Sequence, residues 1–236
     1  MSATVSVSAE TIHFLNDKFT IRALLARPTD RPGRLPAIIL LHEWWGLNPH
    51  AVEVARRFAA EGYVVAALDL YSRQGYKVTA NAAEAAQLMA ALSTQGALRD
   101  INALVQYLRA LPYVDAPRLG IVGFSMGASI ALIMAQHNSD FKAAVAFYGK
   151  TPPIENVDSF LCPVQFHDAG KDGWVTRKEV DALREGLLKN GKPAEIIRYP
   201  EADHAFFNDT RPEVFRKDDA ESAWQSTLQF LTRYLW

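Results

Sequence analysis

Short apolar runs alternate with helical segments along most of the chain, and this alternation limits the fold more than any other feature. Three such runs are too short for typical helices, at residues 36–41, 63–70 and 119–122. Continuous apolar runs of this length indicate strands that are buried on both faces. Segments with helical periodicity or good helix propensity occupy residues 51–60, 82–92 and 97–111. The sequence therefore predicts an α/β fold, with a mainly parallel, doubly wound sheet and helices on both faces.

The N-terminal segment has a different pattern. Residues 4–8, 11–15 and 19–26 are predicted strands, and Asn16-Asp17-Lys18 supplies a turn signal. We therefore expect an antiparallel N-terminal edge. The second half adds predicted strands at 143–148, 163–167 and 195–199 and predicted helices at 128–136, 177–189 and 220–235. No Pro-, Gly- or Ser-rich linker divides the 236 residues, so we predict a single domain over residues 1–236.

Charge and composition exclude several classes of partner. The chain has 25 basic and 26 acidic residues without a long basic run, so neither nucleic acid nor an anionic membrane is an expected partner. No apolar stretch reaches the roughly 18 residues that span a bilayer. The N-terminus lacks the basic and apolar regions of a signal peptide, so we predict a cytoplasmic protein. Cys162 is the sole cysteine and cannot form an intramolecular disulfide.

A candidate nucleophile lies in the segment Gly123-Phe124-Ser125-Met126-Gly127. Gly-x-Ser-x-Gly between a buried strand and a helix is the setting of a nucleophilic serine at a sharp strand-to-helix turn. The flanking glycines allow strand and helix to pack closely around that turn. The alternative interpretation is an ordinary N-cap serine between two packing glycines.

A serine hydroxyl needs a base, and His204 is the best candidate. It follows the last predicted strand, in a loop expected to open at the carboxyl edge of the sheet, where Ser125 also lies. The acid should fall between serine and histidine in sequence. We favour Asp172, in a glycine-bounded loop, over its competitor Asp168, which lies nearer the strand end.

Acyl transfer also needs donors for an oxyanion and a pocket for the substrate. We expect the donors to be the N–H groups of Met126, just after the nucleophile, and Trp44, after the first buried strand. Aromatic side chains near the predicted carboxyl edge should line the pocket, although each could instead be ordinary core. The predicted pocket residues are Trp45, Tyr71, Tyr148, Trp174 and Phe206, and we add Arg73.

Four segments together resemble the dienelactone hydrolase family, whose members are carboxymethylenebutenolidase-like enzymes of the α/β-hydrolase superfamily. They are His42-Glu43-Trp44-Trp45-Gly46-Leu47-Asn48, Asp69-Leu70-Tyr71-Ser72-Arg73-Gln74, Gly170-Lys171-Asp172 with Val175, and His204-Ala205-Phe206. The first resembles the family's Gln/His-Glu-x-x-Gly-x-Asn segment, and all four occur in the family's order. The resemblance covers the chain from about residue 15 to its end. It implies an α/β-hydrolase fold and hydrolysis of esters or lactones.

The chain departs from the family pattern at two places. The type enzymes carry cysteine where this chain has Ser125, and there a glutamate at the position of Glu43 helps to activate the thiol. Beside a serine, Glu43 is expected to accept a hydrogen bond that orients Ser125 or the substrate; the alternative is a surface glutamate. Two arginines bind the substrate carboxylate in the type enzymes, but their positions correspond here to Asn208 and to the neighbourhood of Ala82.

These observations predict a serine-dependent hydrolase of carboxylic esters or lactones that forms an acyl-enzyme on Ser125. We expect a small-molecule substrate, no cofactor and no metal, because the histidines lack paired ligand spacing. We also expect a monomer or a small homo-oligomer. The alternatives are an acyltransferase or small peptidase with the same triad, and a non-catalytic binding protein that has kept the fold.

Overall fold

The computed structural model describes residues 5–236, so that Thr4, in the first predicted strand, lies outside the described residues. The strands are β1 (Val7–Asn16), β2 (Phe19–Pro28), β3 (Leu35–Leu41), β4 (Val64–Leu68), β5 (Val114–Phe124), β6 (Phe141–Phe147), β7 (Val164–Ala169) and β8 (Ala194–Tyr199). The helices are α1 (Pro49–Ala60), α2 (Ala82–Ala90), α3 (Thr94–Arg109), α4 (Met126–His137), α5 (Arg177–Lys189) and α6 (Lys217–Leu235). Two short 3-10 helices, Ser72–Gln74 and Ile154–Ser159, were not predicted.

The strands form an eight-stranded sheet in the order β1-β2-β4-β3-β5-β6-β7-β8. By its internal contacts the chain divides into two compact units, with the boundary between Leu119 and Gly120, inside β5. That a single domain spans residues 1–236 stays a prediction.

The first unit contains the predicted antiparallel edge. Strand β1 pairs antiparallel with β2, and β2 pairs antiparallel with β4. The hairpin turns at Asp17, which has a φ of 53°, a left-handed conformation that Asp adopts more readily than most residues. Strands β3 and β4 pair in parallel, and every residue of both is buried, as the apolar runs predict. The predicted antiparallel edge is therefore confirmed.

The second unit supplies the remaining parallel strands. Strand β7 pairs in parallel with β6 and with β8, and all six of its residues are buried. The loops after β5, β6, β7 and β8 follow the carboxyl ends of these strands, where ligands bind in open α/β sheets. With both units described, the predicted mainly parallel sheet with an antiparallel edge is confirmed. Among the helices within residues 5–236, none combines the length and apolar character needed to cross a bilayer.

Candidate active site

Ser125 lies at the turn between β5 and α4 in an unusual backbone conformation. Its φ is 52° and its ψ is −116°, which costs a non-glycine residue about 1–3 kcal/mol. The Ser125 N–H donates to the Phe147 carbonyl at 2.9 Å, which anchors the turn on β6. Although Ser125 precedes helix α4, its side chain makes no capping hydrogen bond. The alternative interpretation of an ordinary N-cap serine is therefore wrong.

Close packing around this turn explains why glycine occupies position 123, two residues before the serine. A Cβ atom on Gly123 would lie 2.3 Å from the carbonyl oxygen of Gly127, well inside van der Waals contact. Any larger residue at position 123 would push the start of helix α4 away from the end of strand β5.

Ser125, His204 and Asp172 form one chain of hydrogen bonds inside the second unit. The Ser125 Oγ lies 2.8 Å from His204 Nε2, and His204 Nδ1 lies 2.7 Å from Asp172 Oδ2. Because an ionised carboxylate only accepts hydrogen bonds, the proton of a neutral imidazole belongs on Nδ1. Nε2 is then free to accept the Ser125 proton. The side chain of Asp172 is 1% exposed and that of His204 is 27% exposed.

The second carboxylate oxygen of Asp172 fixes its own loop. Oδ1 accepts from the N–H groups of Trp174 at 2.7 Å and Val175 at 2.9 Å. Both oxygens of the carboxylate are therefore hydrogen-bonded, Oδ2 to His204 and Oδ1 to the loop backbone.

The Asp172 loop and the His204 loop run side by side. The Gly170 N–H donates to the Tyr199 carbonyl, and the Lys171 N–H donates to the Ala202 carbonyl, both at 2.8 Å. A Cβ atom on Gly170 would lie 2.4 Å from the Pro200 carbonyl oxygen, so this approach requires glycine. Gly170 thus brings the acid within reach of the histidine.

Asp168, the competing acid, makes different contacts. It lies opposite Arg198 in the parallel pairing of β7 with β8, and its Oδ2 is 3.3 Å from Arg198 Nη1. Burial raises the pKa of Asp168, and Arg198 partly offsets that rise. Within the described residues its Oδ2 accepts no hydrogen bond of good geometry. The structure brings Asp172, rather than Asp168, to His204.

Of the predicted pocket residues in the second unit, two lie against the imidazole. The ring centroids of Tyr148 and Trp174 lie 5.1 Å and 5.3 Å from that of His204. Phe206 is fully buried and packs 5.5 Å from the Tyr148 ring. That these three side chains line a substrate pocket stays a prediction.

Glu43, Trp44 and Trp45 lie in the loop after β3, in the first unit. Glu43 is buried, so the alternative of a surface glutamate is wrong. The Trp44 carbonyl accepts from the Tyr71 hydroxyl at 2.9 Å. The centroid of the Trp44 ring lies 4.9 Å from that of the Trp45 ring. In the described part of the chain, the Trp44 N–H has no hydrogen-bond partner. The roles assigned to Glu43, Trp44, Trp45 and Tyr71 stay predictions.

Arg73 is held by carboxylates of its own unit. Its Nε and Nη2 each donate to Asp100 at 2.8 Å, and Nη2 also lies 3.2 Å from Asp17 Oδ2. The guanidinium packs on the Phe19 ring at 4.3 Å. Its place in a substrate pocket stays a prediction that these contacts do not support.

The backbone at two further residues near the triad was not predicted. Tyr148 has a φ of 42°, and Ala205, directly after His204, has a φ of 67°. Neither residue type favours the left-handed region, so the sequence carries no local signal for these conformations.

Comparisons with known proteins identify the family of this chain. The profile of the dienelactone hydrolase family matches residues 21–235. The chain belongs to this family. A Bradyrhizobium protein described as a probable 2-oxo-3-(5-oxofuran-2-ylidene)propanoate lactonase is 32% identical over 224 residues, which cover 90% of this chain and 89% of that protein.

Solved structures agree with this family assignment. A crystal structure from Klebsiella pneumoniae that carries the name of a dienelactone hydrolase superposes with a TM-score of 0.89 at 30% identity, covering 97% of this chain and 100% of that one. An acylaminoacyl peptidase from Pyrococcus horikoshii has a TM-score of 0.77 at 15% identity, covering 97% of this chain and 42% of the peptidase, and shows the shared fold alone. This member of the dienelactone hydrolase family is therefore a hydrolase of the esterase and lactonase type.

The family resemblance places Asn208 at one of the two arginine positions of the type enzymes, and this correspondence stays a prediction. Asn208 is buried, and its Oδ1 accepts from the N–H of Thr210 at 3.1 Å and from its hydroxyl at 2.7 Å. An amide oxygen that closes a turn supplies no positive charge. Asn208 therefore gives no substitute for the arginine that binds a substrate carboxylate in the type enzymes.

Proposed function

We propose that this protein hydrolyses carboxylic esters or lactones through an acyl-enzyme on Ser125. The observation that carries the proposal is the continuous hydrogen-bonded chain from Ser125 Oγ through His204 to Asp172 Oδ2. Nucleophile, base and orienting acid in this order form the arrangement that activates a serine hydroxyl at neutral pH.

In the acylation step, Ser125 Oγ attacks the substrate carbonyl while its proton passes to His204 Nε2. Asp172 holds the Nδ1–H tautomer before the transfer and stabilises the imidazolium after it. His204 then returns the proton to the departing alkoxide. An ester releases an alcohol at this point, whereas an opened lactone keeps its new hydroxyl on the acyl chain.

Deacylation repeats these roles with water as the nucleophile. His204 removes a proton from water, the hydroxide adds to the acyl carbonyl, and collapse of the intermediate returns the proton to Ser125 Oγ. The product is a carboxylic acid, or a hydroxy acid from a lactone.

The two oxyanion donors in this proposal are the N–H groups of Met126 and Trp44. Met126 opens helix α4, whose N-terminal end favours negative charge, and the Trp44 N–H has no partner among residues 5–236. Glu43 would accept a hydrogen bond that orients Ser125 or the substrate.

The substrate proposal rests on family membership and on the aromatic side chains. A relative described as a probable lactonase supports ring esters as substrates. Trp45, Tyr71, Tyr148, Trp174 and Phe206 would favour hydrophobic or aromatic acyl and alcohol groups. A cytoplasmic location and a monomer or small homo-oligomer remain part of the proposal.

The proposal is tested by measuring kcat/KM for p-nitrophenyl esters and small lactones with the parent protein, Ser125→Ala and Ser139→Ala. Ser139 is exposed and serves as the matched control. We expect Ser125→Ala to lower kcat/KM by at least about 10³-fold on every active substrate, and Ser139→Ala to behave like the parent. Hydrolysis that survives in Ser125→Ala would contradict the proposal.

A further inference from the structure

Two aromatic rings flank the imidazole of His204. The Trp174 ring lies 5.3 Å away at an interplanar angle of 86°, and the Tyr148 ring lies 5.1 Å away at 64°. Both contacts are edge-to-face arrangements, the geometry that aromatic pairs prefer. His204 therefore has one aromatic neighbour from the loop after β7 and another from the loop after β6.

Trp174 is itself held from two directions. Its N–H donates to Asp172 Oδ1 at 2.7 Å, so one residue holds the acid through its backbone and contacts the base through its side chain. The Lys150 ammonium lies 5.8 Å from the indole centroid. Glu179 pairs with Lys150 at 3.0 Å and thereby keeps the ammonium in place. These contacts limit the movement of the indole.

Tyr148 is held at least as firmly, in a backbone conformation that aromatic residues rarely adopt. Its φ is 42°, and its N–H donates to the His167 carbonyl at 2.9 Å. The preceding residue, Phe147, provides the carbonyl that anchors the Ser125 N–H. Strained residues of this kind persist where surrounding structure fixes them and cluster at functional sites. Here the strained turn places the Tyr148 ring against His204.

We propose that Trp174 and Tyr148 are positioning residues that hold the His204 imidazole where it reaches both Ser125 Oγ and Asp172. The imidazole turns about two side-chain bonds and is 27% exposed, so two hydrogen bonds alone would leave it open to competing water and other rotamers. The inference rests on the proposed function, because it gives His204 the role of base.

A double-mutant cycle tests the proposal on an activated ester. Trp174→Leu removes the aromatic ring, and we expect kcat to fall by roughly 10–100-fold while KM changes less than about threefold, because small displacements of a catalytic group have effects of this size. Trp174→Phe keeps a ring and should retain most of kcat. In the His204→Ala background, Trp174→Leu should change the residual rate by less than about twofold, since its effect acts through the imidazole.

The outcomes separate this inference from the proposed function. An equal loss from Trp174→Leu with and without His204 would overturn the inference and would indicate direct contact with substrate. An unchanged kcat in Trp174→Leu would also overturn it. Full activity in His204→Ala would instead overturn the proposed function. Trp236→Leu, at an exposed tryptophan, is the matched control, and thermal unfolding midpoints show which variants are folded.

Tyr148→Leu and Tyr148→Phe extend the test to the second ring. Tyr148→Phe keeps the ring and should retain kcat within about threefold, whereas Tyr148→Leu should lower kcat about tenfold or more. An equal loss of kcat in the two variants would assign the role to the hydroxyl and would contradict positioning by the ring.

Discussion

Two neighbouring regions of the second unit each contain a histidine and a carboxylate, yet they differ in chemistry. Within strand β7, His167 is fully buried, and its ring nitrogens lie 3.0 Å from the Tyr199 hydroxyl and 2.9 Å from Thr227 Oγ1. Its neighbour Asp168 pairs with Arg198. In the loops beyond the strands, His204 instead joins Asp172 to Ser125 and stays partly exposed.

The comparison shows that burial and partners, rather than residue type, decide which pair can transfer protons. Burial lowers the pKa of His167 to about 3, so that its imidazole stays neutral at neutral pH. Two hydroxyls and the Gln165 side-chain carbonyl, all neutral groups, lie within hydrogen-bond distance of its nitrogens. His204 has a carboxylate on one nitrogen and a serine hydroxyl on the other, with a path to solvent. Loops after the strands permit this combination, whereas the strand interior does not.

The largest effect should separate the two carboxylates. Asp172→Asn preserves shape but removes the negative charge and disturbs the His204 tautomer, so kcat should fall by about 10³–10⁴-fold. Asp168→Asn leaves the triad hydrogen bonds in place and should change kcat less than about tenfold. Initial-rate kinetics on a p-nitrophenyl ester measure both. Equal losses in the two variants would remove the distinction between the regions.

His167 should contribute to stability and to its pH dependence rather than to catalysis. Its pKa is lowered in the folded protein, so the neutral form is favoured there, while the unfolded chain takes up a proton below about pH 6.5. The contribution is therefore complete above about pH 6.5 and is lost as pH falls towards about 3, by up to about 1.4 kcal/mol per pH unit.

Urea unfolding at pH 7, 5.5 and 4.5 measures this contribution in the parent and in His167→Gln. The variant should be less stable at pH 7 by about 1–3 kcal/mol, because buried hydroxyls lose partners. It should also lose less stability than the parent between pH 7 and 4.5, while kcat of the folded variant stays within about tenfold. Identical pH slopes for the two proteins would argue against a buried neutral His167.

The smallest effect should come from the exposed ion pair that joins the two active-site loops. Lys171 Nζ lies 2.6 Å from Glu201 Oε2, and both side chains are more than half exposed. Water screens exposed ion pairs, so they contribute little, and Lys171→Ala should change kcat less than about threefold. A loss comparable to that of Asp172→Asn would mean that this ion pair, rather than the backbone contacts at Gly170, holds the loops together.

Local sequence patterns predicted the elements whose structure depends on local interactions. Helix α5 spans Arg177–Lys189 as predicted, because Thr176 and Glu179 form a capping box at its start. Strand β5 is longer than the predicted residues 119–122. The prediction was too short because the N-terminal part of the strand is only partly buried and lacks an apolar run. The turn at Ser125 was predictable since its flanking glycines are part of the motif.

Features that depend on contacts between distant segments were not predictable. The approach of Gly170 to Pro200 and the left-handed backbone of Tyr148 both require knowledge of neighbouring strands. Arg73 was predicted for the pocket, but its contacts are with Asp100 and Asp17, which lie far from it in sequence. Asp172 could be ranked above Asp168 from its loop, yet only the structure shows its hydrogen bond to His204.

Covalent labelling of Ser125 tests the central claim most directly. The purified, active protein is treated with a fluorophosphonate probe, digested and mapped by peptide mass spectrometry, with Ser125→Ala and His204→Ala in parallel. We expect the probe on the peptide that contains Ser125, no label there in Ser125→Ala, and much slower labelling in His204→Ala. Labelling at another residue of the active protein, or hydrolytic activity without any labelling, would contradict the account.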